Sequence, residues 1–317
     1  MSNVHDLTRP TEVRNLRTID IDLWPSQRII RALLTEDAAG VAAAEGVADR
    51  LAATVDAAHE RLAAGGVVHV FGAGASGRLA MLDATEATPT FGAPRGLFNA
   101  HFPGGNDAFM DSSIDLEDAA GLGYDDAAVV GAGDVVVGVT ASGTTAYVKG
   151  AFDRAFEAGA MTVLVCCDPG AALGSTVDYF IAADTGAEAI TGSTRLKAGT
   201  ATKALLNAFS TALNVRAGRT YSNLMVDLVA TNAKLHERAV DIVTMAADVE
   251  RGTAEQLLAA ADGVVPLAIV HALSGQSLER CRQALMPGGG VRQALARLSD
   301  ERSGGEPAGD ERSGDQG

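Results

Sequence analysis

Aromatic residues are scarce, 4% of the 317 residues with a single Trp, so a core of large rings is excluded. The abundance of Ala, Val and Gly points instead to small-residue packing between helices and a sheet. Basic residues are few as well, 25 Lys and Arg against 40 Asp and Glu, for a formal net charge of -15. That balance excludes nucleic acid and anionic membrane as expected partners, and a phosphate ligand must be held by local dipoles and a few bases. Only three cysteines occur, Cys166, Cys167 and Cys281, with no CxxC spacing. They read as small core residues of a reducing cytoplasm. The six His show no metal-ligand spacing, and no cofactor is expected. No apolar run approaches membrane-spanning length, and the amino-terminal MSNVHDLTRPTEVRN has neither an apolar h-region nor a basic start. A cytoplasmic protein is the expectation.

What is present is a strand–turn–helix unit, VVHVFGAGASGRLAMLDATE, from Val67 to Glu86. An apolar run rich in Val stops at Gly72-Ala73-Gly74-Ala75-Ser76-Gly77, and a helix-compatible run begins at Arg78. Glycines let the backbone approach a ligand, and the helix start offers unpaired N–H groups and the positive end of its dipole, so the turn suits an anion. One helix length later stands Glu86, placed to bring a carboxylate to the same ligand.

Along the chain, residues 1–25 read as a polar arm. Helical spacing of apolar residues from Ser26 to about Ala64 predicts two helices separated near Thr35-Glu36-Asp37. Gly96 to Phe102 is a second short strand, and Asn106 to Ala120 reads as a helix carrying Asp107, Asp111, Asp115, Glu117 and Asp118. A buried strand at Val135 to Val139 ends in Thr140-Ala141-Ser142-Gly143-Thr144-Thr145 and leads into another helix, repeating the first unit with hydroxyls replacing glycines. Strands at Met161–Cys166 and Tyr179–Ala182 follow. The segment Thr191 to Lys203, with Arg195, Lys197 and Lys203, opens a long helix. Alternating βα units imply an α/β fold, a parallel sheet with helices on both faces and ligand loops at the carboxyl ends of the strands. From Asn223 a helix carrying His236 is expected, then a small carboxy-terminal helical bundle over Thr253–Leu273 and Ser277–Leu298, with Thr253 as an N-cap. Beyond Ser299 a repeated Asp-Glu-Arg-Ser-Gly should be disordered. The domain plan is 1–57 arm and helices, 58–221 α/β domain, 222–298 helical region and 299–317 tail.

Gly72, Gly74 and Gly77 satisfy the dinucleotide pattern G-x-G-x-x-G. That fingerprint also needs an acid at the end of the second strand, near His101-Phe102, and Glu86 comes too early. The hydroxyl-bearing loop at 140–145 suits a phosphate monoester instead. Phosphate holding is assigned to Ser76, Thr140, Ser142 and Thr145 with the backbone around Gly77 and Gly143, and next to Ser193 and Lys197.

GAGASGR at 72–78 with TASGTT at 140–145 resembles the sugar isomerase (SIS) domain, a three-layer sandwich that binds phosphosugars. GAGASGRLAMLDATEATPTFG at 72–92, TGSTRLKAGTATK at 191–203 and NLMVDLVATNAKLHER at 223–238 are similar to the N-acetylmuramic acid 6-phosphate etherases, from about Thr11 to Leu298. The resemblance implies cleavage of the lactyl ether at C3 of the sugar by elimination and hydration, with Glu86 and Glu117 as the acid–base pair. It also implies a homodimer acting on a small phosphosugar without a cofactor; His236 is a candidate for ring opening. The chain departs from the family at Thr144 and Ala146, where Arg and Pro are usual, and at Ala87-Thr88, where Cys-Pro is common. Two alternatives stand beside the etherase: a phosphosugar isomerase using the same C2 proton, and a phosphosugar-binding regulator without chemistry.

Overall fold

A computed structural model describes residues 9–111, 113–228, 233–286 and 288–303. The chain divides into two compact units, Met1–Pro89 with Ala93–Leu213, and Thr90–Gly92 with Asn214–Gly317.

In the first unit, three short 3-10 turns between Pro10 and Leu23 precede helices α1 (Ser26–Glu45) and α2 (Ala48–Ala63). Then come β1 (Val68–Gly72), α3 (Gly74–Phe91), β2 (Phe98–His101), α4 (Gly105–Met110) and α5 (Ala120–Asp126). The unit closes with β3 (Val135–Val139), α6 (Ala146–Ala158), β4 (Met161–Cys166), β5 (Tyr179–Ala182) and α7 (Lys197–Arg216). The five strands pair in parallel in the order β2-β1-β3-β4-β5. Strand order reverses between β1 and β3, and the register Gly72↔Val139 brings the turn after β1 beside the loop after β3. Crevices of open α/β sheets lie at such a switch point.

The three central strands, β1, β3 and β4, are buried on both faces, as their Val-rich runs require, while the edge strands β2 and β5 are partly open. Alternate residues supply two apolar layers. Val68, Val70, Val135, Val137, Val163 and Val165 pack on one side with Leu51 and Val55 of α2 and Leu205 and Phe209 of α7. Phe71, Val136, Leu164 and Cys166 pack on the other with Tyr147, Val148 and Phe152 of α6. The expected three-layer α/β sandwich is what the chain forms.

The second unit holds a short antiparallel pair, β6 (Thr220–Tyr221) and β7 (Leu224–Met225), then α8 (Ala233–Ala247), α9 (Arg251–Ala260), α10 (Val265–Ser274), α11 (Leu278–Leu285) and α12 (Gly290–Ser303). Val240, Val243, Leu258, Leu267, Ile269 and Val291 form its own core. Among the described residues no single helix is long and apolar enough to cross a membrane.

Several boundaries differ from expectation. The first helical region breaks at Gly46-Val47, not at Thr35-Glu36-Asp37, because Glu36 is buried in ion pairs that keep those residues helical. The acid-rich stretch after Asn106 is helical only to Met110, since Asp111 and Asp115 turn their carboxylates onto the backbone N–H groups of Ser113 and Glu117. Residues 220–225 form a ribbon, so the next helix starts at Ala233; α9 starts at Arg251, with Glu250 and not Thr253 at the N-cap. Helix α12 runs through Ser303, and the expected disordered tail beyond it lies outside the described residues.

Candidate active site

The turn after β1 is closed by contact of Gly72 with Gly77: a Cβ on Gly77 would overlap the Gly72 carbonyl. Helix α3 therefore starts at once, with Ser76 half-buried in its first turn and its unpaired N–H groups aimed out of the carboxyl edge of the sheet. Gly74 has φ +54°, and Oε1 of Glu117 occupies the space a Cβ there would need. The Glu117 carboxylate thus lies against the start of α3. Its backbone is fixed by Asp115, whose Oδ1 accepts the Glu117 N–H at 3.1 Å, and by Tyr147 at the start of α6, whose N–H donates to the Glu117 carbonyl at 2.9 Å.

A cavity of about 180 Å³ opens there, lined by Gly74, Arg78, Phe102 and Glu117 among others. Arg78 donates to the carbonyls of Phe109 (3.1 Å) and Ala108 (3.2 Å) and lies over the Phe102 ring. Glu117 is exposed as a residue, but desolvation of its carboxyl against the start of α3 raises it above its ordinary 4.5; the charges of Asp115 and Asp118 add to this and Arg78 opposes it.

Beside this turn, the loop after β3 gathers hydroxyls. Thr140, 3% exposed, holds its Oγ1 2.7 Å from that of Thr145 and 3.3 Å from Ser142 Oγ, and Ser142 Oγ is 3.0 Å from Thr144 Oγ1. Gly143 closes the loop by donating its N–H to the Thr140 carbonyl at 3.3 Å. The expected groups Gly77, Ser76, Thr140, Ser142, Gly143 and Thr145 are therefore on two neighbouring loops of one sheet edge, with Glu117 between their helices. A larger hollow of about 1550 Å³ opens at the opposite, amino-terminal edge, by Met161, Thr162 and Tyr179, away from these loops.

Glu86, Lys197, Ser193 and His236 are held by other parts of the chain. Glu86 is exposed on α3, ten residues beyond Ser76, about 15 Å along the axis at helical rise. The helix that begins at the glycine turn thus does not bring this carboxylate to it within one chain. Lys197, expected near the phosphate, is 2% exposed, with Nζ 2.7 Å from both Glu36 Oε2 and the Ala187 carbonyl. Ser193 lies in the turn before α7, where Gly192 donates its N–H to the Thr11 carbonyl. His236 is exposed on α8, in the second unit.

No motif announces the group that anchors Lys197. Arg17 donates to both Glu36 oxygens, at 2.7 and 2.9 Å. These bonds, with help from Lys197 and Asn15 and against the effect of burial, lower the Glu36 carboxyl to about 2. A weaker signal does exist: Glu36, Gly40 and Ala44 recur every four residues and form the buried face of α1. Arg9 is likewise unmarked by any motif; its Nη1 donates to Thr144 Oγ1 at 3.2 Å. Among the described residues no three His, Cys, Asp or Glu side chains are grouped to hold a metal.

Residues 47–156 match the glucokinase regulatory protein N-terminal SIS domain. The N-acetylmuramic acid 6-phosphate etherase of Thermobifida fusca is 51% identical over 265 residues, 84% of this chain and 87% of that one. The protein of the same name from Brucella anthropi is 42% identical over 288 residues, 90% of this chain and 94% of that one. Among solved structures, a phosphoheptose isomerase from Francisella tularensis aligns over 60% of this chain and 97% of its own, with a TM-score of 0.47 and 17% identity.

Proposed function

The chain belongs to the N-acetylmuramic acid 6-phosphate etherase family, and on that premise we propose that it cleaves the D-lactyl ether of N-acetylmuramic acid 6-phosphate to N-acetylglucosamine 6-phosphate and D-lactate. The observation that carries the reading is a carboxylate, Glu117, held against the glycine turn beside a hydroxyl-lined loop. Both loops open helices, so two dipoles converge where a phosphate monoester would sit. Ser76, Thr140, Ser142 and Thr145, with backbone N–H groups around Gly77 and Gly143, hold that phosphate; Ser193 lies at the rim.

With the sugar open, the C2 proton lies beside an aldehyde, and a carboxylate removes it. The C3–O bond then breaks, the electron pair leaves with lactate, and an acid supplies the proton that the alkoxide needs. Water adds at C3 and a proton returns to C2, so one water is consumed overall. Glu117 is one member of the acid–base pair; a carboxyl raised above its ordinary value takes up a proton more readily. Glu86 is the other.

We propose further that a homodimer completes the site, the partner's Glu86 meeting this chain's Glu117. The axial separation of Glu86 from the turn supports this. So does an unpaired apolar stripe on α1, Ile30, Leu34 and Val41, with Leu82 one turn before Glu86 on α3, all exposed. A cytoplasmic setting agrees with three buried free cysteines. Incubation with N-acetylmuramic acid 6-phosphate and assay of D-lactate tests the reading. Release of stoichiometric lactate is expected; a ketose phosphate product, or tight binding without product, sinks it in favour of an isomerase or a regulator.

A further inference from the structure

We propose that Arg9 is the cation that closes on the substrate's phosphate at the loop between β3 and α6, so that the amino-terminal arm supplies what this loop lacks. The inference rests on the phosphosugar reading above. From Thr140 to Thr145 the loop offers hydroxyls and a helix start but no basic side chain. Its hydroxyls satisfy one another, Thr140 with Thr145 at 2.7 Å and Ser142 with Thr144 at 3.0 Å. In a chain of net charge -15, neutral donors alone are weak holders of a dianion. The cations on the adjoining helices are engaged elsewhere: Lys149 of α6 with Asp153 at 2.6 Å, and Arg78 of α3 with the Ala108 and Phe109 carbonyls.

Arg9 arrives from outside the sheet. Its Nη1 donates to Thr144 Oγ1 at 3.2 Å, which sets the guanidinium at the rim of the hydroxyl cluster. A guanidinium presents its N–H donors in a fork that matches phosphate oxygens, so the bond to a neutral hydroxyl is a resting contact that a phosphate displaces. Residues 11–18 of the arm hold that position. Thr11 is buried and its carbonyl accepts the Gly192 N–H at 3.2 Å; Thr18 Oγ1 donates to the Ala189 carbonyl at 2.8 Å; Arg17 grips the buried Glu36 with two bonds. Two residues before a buried anchor, Arg9 has a short tether and little freedom to leave the loop.

The test compares wild type with Arg9→Ala, Arg9→Lys and the double variant Arg9→Ala/Thr144→Arg. D-lactate release gives kcat and KM, and inorganic phosphate is titrated both as a competitive inhibitor and by calorimetry without sugar. For Arg9→Ala, KM and the phosphate dissociation constant should each rise about tenfold while kcat moves less than about twofold, the size expected for one lost charge-assisted contact. Arg9→Lys should recover part of the loss, and the relocated guanidinium of the double variant more of it. Unchanged KM and phosphate affinity in Arg9→Ala, or a fall in kcat at constant KM, overturns the proposal. Should wild type release no lactate, the etherase reading fails, and the calorimetric titration still decides on Arg9: weaker phosphate binding in the alanine variant supports the clamp, equal binding refutes it.

Discussion

The two ends of α3 meet the same functional group in different settings. At the amino end the helix meets β1 through a glycine contact, the hydroxyl loop lies alongside, and Glu117 arrives from a segment some forty residues on to rest against Gly74. At the carboxyl end Glu86 stands exposed on a regular helical face, with exposed Thr85 and Leu82 nearby. One carboxylate takes its proton affinity from desolvation at the glycine turn and from the charges of Asp115, Asp118 and Arg78; the other stands on an open helix face. The contrast teaches that a motif contiguous in sequence can end in two different surroundings, with helix length as the reason.

The largest effect should come from removing either carboxylate. Glu117→Gln and Glu86→Gln should each lose about 10²–10⁴-fold in kcat with melting temperatures near wild type. Coexpression of the two variants then breaks or confirms the contrast. If Glu117 works with the partner's Glu86, a mixed dimer has one intact site and one doubly damaged site, and a random 1:1 mixture should recover about a quarter of wild-type activity for a two-fold dimer. Activity no higher than that of either variant alone would mean that both groups act within one chain, and the dimer-shared site would be abandoned.

A smaller effect separates the two ends by packing. Gly77→Ala places a methyl against the Gly72 carbonyl at the crowded end, and overpacking of this kind should cost about 1–3 kcal/mol in urea unfolding. Thr85→Ala at the open end removes only hydroxyl bonds to the helix's own carbonyls of Met81 and Leu82 and should stay within about 0.5 kcal/mol. Equal losses at the two positions would deny that the ends differ in packing.

The same contrast explains what could be read from the residues alone. Strands at Val135–Val139, Met161–Cys166 and Tyr179–Ala182 were legible because each is a short apolar run bounded by turn formers, and local pattern decides such elements. The hydroxyl loop and glycine turn were legible for the same reason. Glu36 was not: it looks like part of a polar break, and what keeps it helical is contact with Arg17 and with Lys197, 161 residues away. Lys197 was expected near the ligand because it stands at the mouth of a long helix, and its ion-pair partner on α1 carries no signal in the local pattern. The helix expected across Glu117 fails because Asp111 and Asp115 bond locally to the backbone, a competition that composition does not reveal. Arg9 carries no pattern at all; only the folded arm brings it to Thr144.

The smallest effect concerns charge around Glu117, where the acidic end of the comparison can be tuned. Its carboxyl lies above 4.5, chiefly through burial, with Asp115 and Asp118 adding and Arg78 subtracting. If Glu117 is the base, kcat/KM falls as pH drops through its raised value, so the acid limb should lie above that of an ordinary glutamate. Asp115→Asn removes a raising charge but keeps the oxygen that accepts the Glu117 N–H. The limb should therefore move to lower pH, by less than about one unit because Asp115 is exposed and screened, and the shift should shrink in high salt. Arg78→Gln removes the lowering charge and should move the limb the other way. A pH–rate profile that answers to neither substitution would assign the limb to another group and leave the amino end of α3 without its tuned carboxylate.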